Sequence, residues 1–265
     1  MSDAKPPDWD ARTYHRVSNP QFTWGLKVLE RLPLRGDETV IDAGCGSGRL
    51  TEKLLERLPR GRVIALDFSA AMLAEARAHL SPRFGDQVEY VQADLGALGL
   101  SQVADVVFST ATFHWVKDHD RLFDGLYKAL RPGGRLCAQC GGGRNLERIH
   151  ARAHRLGAQA PYAPFFQGYE EPTNFQGEAA TRERLERSGF RDAKVWLEEA
   201  PARFPDAESC AEFLRTVVLR PHLARLPDET LKAGFLRTLV SESAEDDPPF
   251  TLDYWRLNMD AARSA

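Results

Sequence analysis

The segment Ile41-Asp42-Ala43-Gly44-Cys45-Gly46-Ser47-Gly48 carries the residues with the clearest chemical use, three glycines between an apolar run and an amphipathic one. Glycine lets a backbone turn sharply and approach a ligand closely. Two acids stand in matching places further on. Asp67 ends a second apolar run, where a carboxylate can accept hydrogen bonds from ribose hydroxyls. Asp94 ends a third, Val91-Gln92-Ala93-Asp94-Leu95, where it can bind an adenine amine. Each acid alone could be a helix cap; acids at the ends of three consecutive strands mark one binding edge. The spacing also separates ligand classes. A dinucleotide site asks for G-x-G-x-x-G, with a helix N-terminus facing a pyrophosphate. Here the glycines read G-C-G-S-G, and Asp42 stands just before them. That anion would repel pyrophosphate and attract an ammonium, so the pattern favours a zwitterionic amino-acid cofactor over NAD.

Other candidates carry weaker signals. His114 and Trp115 follow the fourth apolar run, where the imidazole could orient or deprotonate a nucleophile and the indole could wall a pocket. Equally, His114 could hydrogen-bond a neighbouring loop and Trp115 pack beneath a lid. Cys137 and Cys140 lie in a strand whose alternation sends them to opposite faces, which disfavours redox or zinc chemistry. His150 and His154 share a helix face, yet no acidic partner is in view, so no metal site is expected. Arg148, Arg152 and Arg155 form a solvated face or, at a lid, meet a substrate carboxylate, and Arg144 is a substrate-binding candidate. Tyr162 and Phe166 belong to an aromatic loop that reads either as lid core or as substrate wall.

The elements that must position these residues alternate regularly. Short apolar runs at 39–41, 62–66, 88–91, 104–108 and 135–139 alternate with helical stripes such as Leu50/Leu54/Leu58 and Leu122/Phe123/Leu126/Leu130. A first helix precedes them, with Phe22, Leu26, Leu29 and Leu32 on one face. This alternation implies βαβ units with right-handed crossovers. The expected fold is α/β: a Rossmann-like, doubly wound, mostly parallel seven-stranded sheet with helices on both faces. Its last two strands are 194–198 and an antiparallel 250–257. Residues 1–36 are expected to form an N-terminal helical segment over the cofactor site, 37–143 the cofactor-binding core, and 144–265 the rest of the sheet. Insertions near 144–177 and 204–245 would meet as a helical lid over the sheet's carboxyl edge.

Composition bounds the function classes. With 265 residues, 43% hydrophobic and 28% charged, the chain suits a globular domain with a substrate-covering insertion rather than disorder. A formal charge of −3 gives no field that favours nucleic acid or an anionic membrane. No apolar run approaches the roughly 20 residues that span a bilayer. The polar start, with Asp3 and Asp8, does not read as a secretory signal, and the four cysteines lack framework spacing. A reduced, cytoplasmic monomer or homodimer acting on a small molecule is expected.

Asp42 to Gly48, Leu66 to Leu73, Ala93-Asp94-Leu95 and Arg131-Pro132-Gly133-Gly134 together resemble the successive motifs of class I methyltransferases that use S-adenosylmethionine (SAM). The match covers roughly residues 20 to 140. Phe108 to Val116 is similar to the same stretch in trans-aconitate methyltransferases and related small-molecule carboxyl methyltransferases. The resemblance implies a SAM-dependent methyltransferase that releases S-adenosylhomocysteine. It would place Gly44 and Gly46 along the methionine part, with Asp42 near its amino group. Asp67 would hold the ribose, Phe68 and Met72 would flank the adenine, and Asp94 with Leu95 would bind its amine edge. Ser109 and Phe113 would sit near the methionine end, and Tyr14 and Gln21 would fold over the cofactor. The expected reaction is O-methylation of a carboxylate. The alternatives are O-, N- or C-methylation of a natural-product or quinone-type substrate, a SAM-binding protein without catalysis, and an NAD-dependent oxidoreductase. Ser109-Thr110-Ala111-Thr112 stands where base-amine methyltransferases carry Asn-Pro-Pro-Tyr, which disfavours a nucleic-acid substrate.

Overall fold

A computed structural model describes residues 19–265. Tyr14 lies outside the described residues. The first helix, α1 (Asn19–Glu30), is followed by five strands with three α-helices among them: β1 (Thr39–Ala43), α2 (Arg49–Glu56), β2 (Arg62–Asp67), α3 (Ala70–Phe84), β3 (Val88–Gln92), β4 (Ala104–Thr110), α4 (His119–Ala129) and β5 (Leu130–Gly141). All five residues of β1 are buried, as expected of a parallel strand covered on both faces. Local caps start the helices: Ser69 accepts from Met72 N at the head of α3, and Asp118 accepts from Asp120 N and Arg121 N at the head of α4.

The second half adds α5 (Glu147–Gly157), α6 (Ala163–Phe166), α7 (Glu178–Arg187), β6 (Arg191–Glu199), β7 (Ala202–Arg203), α8 (Ala207–Phe213), α9 (Arg220–Leu223), α10 (Glu229–Ala244), β8 (Thr251–Leu252) and β9 (Trp255–Ala262). A π-turn, Leu214–Val218, continues α8. The main sheet has seven strands in the order β3-β2-β1-β4-β5-β9-β6, and β9 alone runs antiparallel to its neighbours. Strand order reverses between β1 and β4, which opens a crevice at their carboxyl ends.

Three apolar clusters hold the molecule. Ile41, Val107, Phe113, Phe123 and Leu126 fill one face of the sheet. Val40, Val63, Phe108 and Leu80 fill the other, with Val28 and Leu29 of α1. Cys137 belongs to the second cluster and Cys140 to the first, as strand alternation requires. A third cluster joins Ile149, Tyr162, Phe213, Leu223, Phe235 and Tyr254 with Trp24 of α1, so the later helices have a core of their own.

Two expectations shift. The buried stripe of α1 runs through Gln21, Trp24, Val28 and Leu29, whereas Phe22 is half-buried with Arg49 over its ring at 4.3 Å. The expected strand 250–257 is two strands. Thr251–Leu252 pairs with Ala202–Arg203, and a turn at Asp253, held by Arg148 N, leads into β9. Polar residues hid the true extent of β9, because Arg256, Asn258 and Asp260 share one face while Leu257, Met259 and Ala261 fill the other.

Candidate active site

The Gly44–Gly48 loop leaves β1 at the crevice. Gly44 N and Cys45 N both donate to Leu66 O at 2.8 Å, and Gly46 N donates to Asp67 Oδ2 at 2.9 Å, which pins the loop to the end of β2. Gly44 has φ +86°, and a Cβ there would stand 2.1 Å from Thr112 Oγ1. This glycine is required by the close passage of the segment after β4. Gly46, at φ +54°, has nothing within 4 Å of where a Cβ would be, so a ligand can approach its backbone closely.

Acids gather around the loop. Asp67 Oδ1 accepts from Ser69 N at 2.9 Å, and Ala93 N donates to Asp67 O at 3.0 Å, which brings the exposed Asp94 alongside. Phe68 is 49% exposed, the one exposed large hydrophobic side chain among the described residues. An open glycine backbone, two carboxylates and an uncovered aromatic ring fit a ribose-bearing, cationic ligand with an aromatic base. Met72 and Leu95 are buried next to these positions.

Asp42 is buried behind the loop and accepts from Thr51 Oγ1 at 2.6 Å. Burial lifts its carboxyl pKa to about 7; the Thr51 hydrogen bond opposes the rise and the charge of Asp67 adds to it. An unfolded chain gives up this proton near pH 4 and the folded chain near 7, so stability falls as pH rises between the two, by at most about 4 kcal/mol. Asp42→Asn keeps an acceptor for Thr51 and removes the buried charge. We expect it to raise the melting temperature of the ligand-free protein at pH 8 and to leave it nearly unchanged at pH 4. Equal shifts at both pH values would show that no buried-charge penalty exists there.

Past the ends of β4 and β5 lies a pocket of about 50 Å³, walled by Gln21, His114, Trp115, Asn145, Phe175 and Arg256 among others. Ala111, at φ +54°, also lines it, a strained backbone position for a residue with a Cβ. His114 Nδ1 accepts from Gly141 N at 3.2 Å, and this bond assigns the ring proton to Nε2. Burial, and then the positive charge of Arg256, hold the His114 pKa well below 6.5. The ring is therefore a neutral donor at pH 7. Arg256 is 2% exposed; its Nε donates to Gln139 Oε1 at 3.3 Å and its guanidinium lies 4.7 Å over Trp24. Gln139 donates to Asn258 Oδ1 at 2.9 Å, and Arg31 of α1 donates to the same oxygen at 3.0 Å. A buried polar ladder thus orients Arg256.

The structure sorts the other sequence candidates. Gln21 reaches the pocket, and its buried Oε1 has no partner among the described residues. Ser109 donates instead to Ala43 O at 2.6 Å, tying β4 to β1. Phe113 is fully buried edge-on to Phe123 at 6.1 Å and belongs to the core. Arg144 is exposed, paired with Glu147 at 2.7 Å, and not part of the pocket lining that begins at the next residue, Asn145. Tyr162 and Phe166 both pack on Phe235 in the third cluster. Sequence reasoning missed Thr112, Arg256 and Glu171. Arg256 alone left a signal, as a charge on an alternating strand. The acid absent from view beside His150 and His154 is Glu171, whose Oε1 lies 3.1 and 3.2 Å from their ring nitrogens.

Comparison with known proteins agrees with this geometry. The sequence profile described as "Methyltransferase domain" matches residues 40–134. The trans-aconitate 2-methyltransferase of Azoarcus sp. (strain BH72) is 32% identical over 258 residues, covering 97% of this chain and 91% of that one. The trans-aconitate 2-methyltransferase of Deinococcus radiodurans is 31% identical over 224 residues, covering 82% and 83%. Among solved structures, phosphoethanolamine N-methyltransferase 2 of Haemonchus contortus, bound to phosphomonomethylethanolamine and S-adenosylhomocysteine, superposes with a TM-score of 0.61 at 19% identity over 96% of this chain and 56% of that one. Geranyl diphosphate C-methyltransferase of Streptomyces coelicolor A3(2) gives 0.55 at 16% identity over 91% and 77%. These two share the fold. With the crevice, the glycine loop and its acids in place, and a relative matched along nearly its whole length, the chain belongs to the SAM-dependent methyltransferases, in the same family as the trans-aconitate 2-methyltransferases, and SAM is its cofactor.

Proposed function

We propose that this enzyme O-methylates a carboxylate of a small acid bearing more than one carboxylate. The observation that carries the reading is the buried Arg256 guanidinium in the same pocket wall as the neutral His114 donor. A desolvated cation and a fixed N–H suit an anionic substrate, and charge-assisted hydrogen bonds are the stronger kind. The naming of the relatives after a tricarboxylic acid supports it. In this reading Gly46, Asp67, Phe68 and Asp94 hold SAM, Asp42 meets its ammonium directly or through water, and the helices of the third cluster form the lid.

SAM supplies a methyl group already activated on a sulfonium. A substrate carboxylate is ionised at neutral pH, so no proton has to move before attack. The work left to the protein is orientation and exclusion of water. Arg256 grips one carboxylate, His114 Nε2 donates to an oxygen and fixes its direction, and Trp115 and Phe175 close the walls. With its proton on Nε2 and its basicity suppressed, His114 positions rather than deprotonates.

A panel of small di- and tricarboxylic acids, phenols and amines, read by S-adenosylhomocysteine release, tests the proposal. Acids should turn over, with kcat flat between about pH 6 and 8 when both ligands saturate. His114→Gln should raise KM and leave kcat within about tenfold, where loss of a general base would lower kcat by roughly 10²–10⁴-fold. Turnover confined to phenols or amines, rising with pH, would overturn it.

A further inference from the structure

Behind the pocket, three elements converge on one carboxylate oxygen. His150 of α5 and His222 of α9 bring Nδ1 and Nε2 to 3.1 and 2.9 Å from Oε1 of Glu171, which sits in the loop after α6. These three donor atoms lie within 4.8 Å of one another, and His154 Nε2 stands 3.2 Å from the same oxygen. We propose that His150, Glu171 and His222 form a binding site for a zinc-class divalent cation, a site independent of the substrate assignment above.

Three observations carry it. A single carboxylate oxygen has two lone pairs and here faces three imidazole nitrogens, so hydrogen bonding cannot satisfy all of them. His222 is 1% exposed, and its Nε2 lies 2.9 Å from Glu171 Oε1 without the alignment of a hydrogen bond. Buried polar atoms are rarely left so. Its other nitrogen, Nδ1, lies 3.5 Å from Tyr169 Oη, at the limit of hydrogen-bond reach. A ring N–H held by an oxygen on that side leaves the Nε2 lone pair for a metal, the usual arrangement behind ligating histidines.

The spacing suits a small cation. Bonds of about 2.0–2.1 Å in a tetrahedron put ligand atoms about 3.3 Å apart, close to the two nitrogen–oxygen separations of 3.1 and 2.9 Å here. Two imidazoles and a carboxylate are a common donor set for such an ion and leave a coordination position open. Access exists as well. His154, Phe166, Tyr169 and His222 line a surface groove of about 350 Å³ on the far side of the cluster. On the near side, His150 and Glu171 border the pocket that holds His114. A bound cation would tie α5, the 167–177 loop and α9 together at the rim of that pocket.

The test uses the full chain without a histidine tag, stripped with chelator and dialysed against Zn²⁺ or Co²⁺. We expect about one equivalent to remain, Co²⁺ to show the intense visible absorption of low-symmetry four- or five-coordination, and the melting temperature to rise with either ion. Glu171→Gln and His222→Gln should weaken binding by at least roughly 10–100-fold. Should His222→Gln fail to fold by circular dichroism, the half-buried His150→Gln reads the same ligand set. Less than about a tenth of an equivalent on the wild-type chain, or unchanged affinity in folded Glu171→Gln, would overturn the site and leave the cluster as imidazole–carboxylate ion pairing.

Discussion

Asp67→Ala is expected to weaken SAM and S-adenosylhomocysteine by roughly 10²–10⁴-fold. The carboxylate is proposed to accept from two ribose hydroxyls, and each such charge-assisted bond contributes about 1.5–3 kcal/mol. It also holds Gly46 N and Ser69 N, so its loss loosens the backbone that the cofactor must approach. Adenosine shares the ribose and should lose comparably. Calorimetry on the folded variant decides the matter: a change under tenfold for all three ligands would remove Asp67 from the ribose site.

Arg256→Gln carries the second large effect. Removing one partner of a buried charged contact typically costs about 2–5 kcal/mol, which predicts a rise in KM for a diacid of roughly 30-fold to several thousandfold. The variant keeps a hydrogen-bonding group beside Gln139 but gives up both the charge and the stacking on Trp24. A merely structural role would slow every substrate alike. The informative comparison is therefore a diacid against its half-amide. Wild-type enzyme should prefer the diacid strongly, and Arg256→Gln should lose most of that preference. If the preference survives the substitution, Arg256 does not read the carboxylate.

The binding edge was legible because its parts are local. Glycines between a strand and a helix, and acids at successive strand ends, are readable from spacing, and the sheet order places them together. Ambiguity arose where one residue type serves two purposes. Phe113 follows β4 at a plausible distance for a ligand contact, but its ring completes the packing over Phe123. Tyr162 and Phe166 could equally have lined a pocket or filled a lid: both pack on Phe235, and Phe166 also lines the groove beside His222. Arg256 and Glu171 were out of reach for another reason. Each acquires its meaning from partners far along the chain, Gln139 in one case and His222 in the other. The pattern of β9 did hold a usable clue: a strand with Arg256, Asn258 and Asp260 on one side needs a polar ladder or water there.

The strand order also bears on when each strand can find its neighbours. Strands β1 to β5 find all their mutual neighbours within the first part of the chain, so the cofactor crevice can assemble early. β6 pairs with β9 alone, and β9 follows every other strand among the described residues. Until it arrives, β6 has no ladder partner, and Arg256 has not yet been added to the pocket. A nascent chain interrupted before β9 would thus have the framework for SAM without the cation proposed to grip the acid. Cofactor crevice and proposed acid grip thus belong to separate stretches of the chain, one closed by β5 and the other waiting on β9.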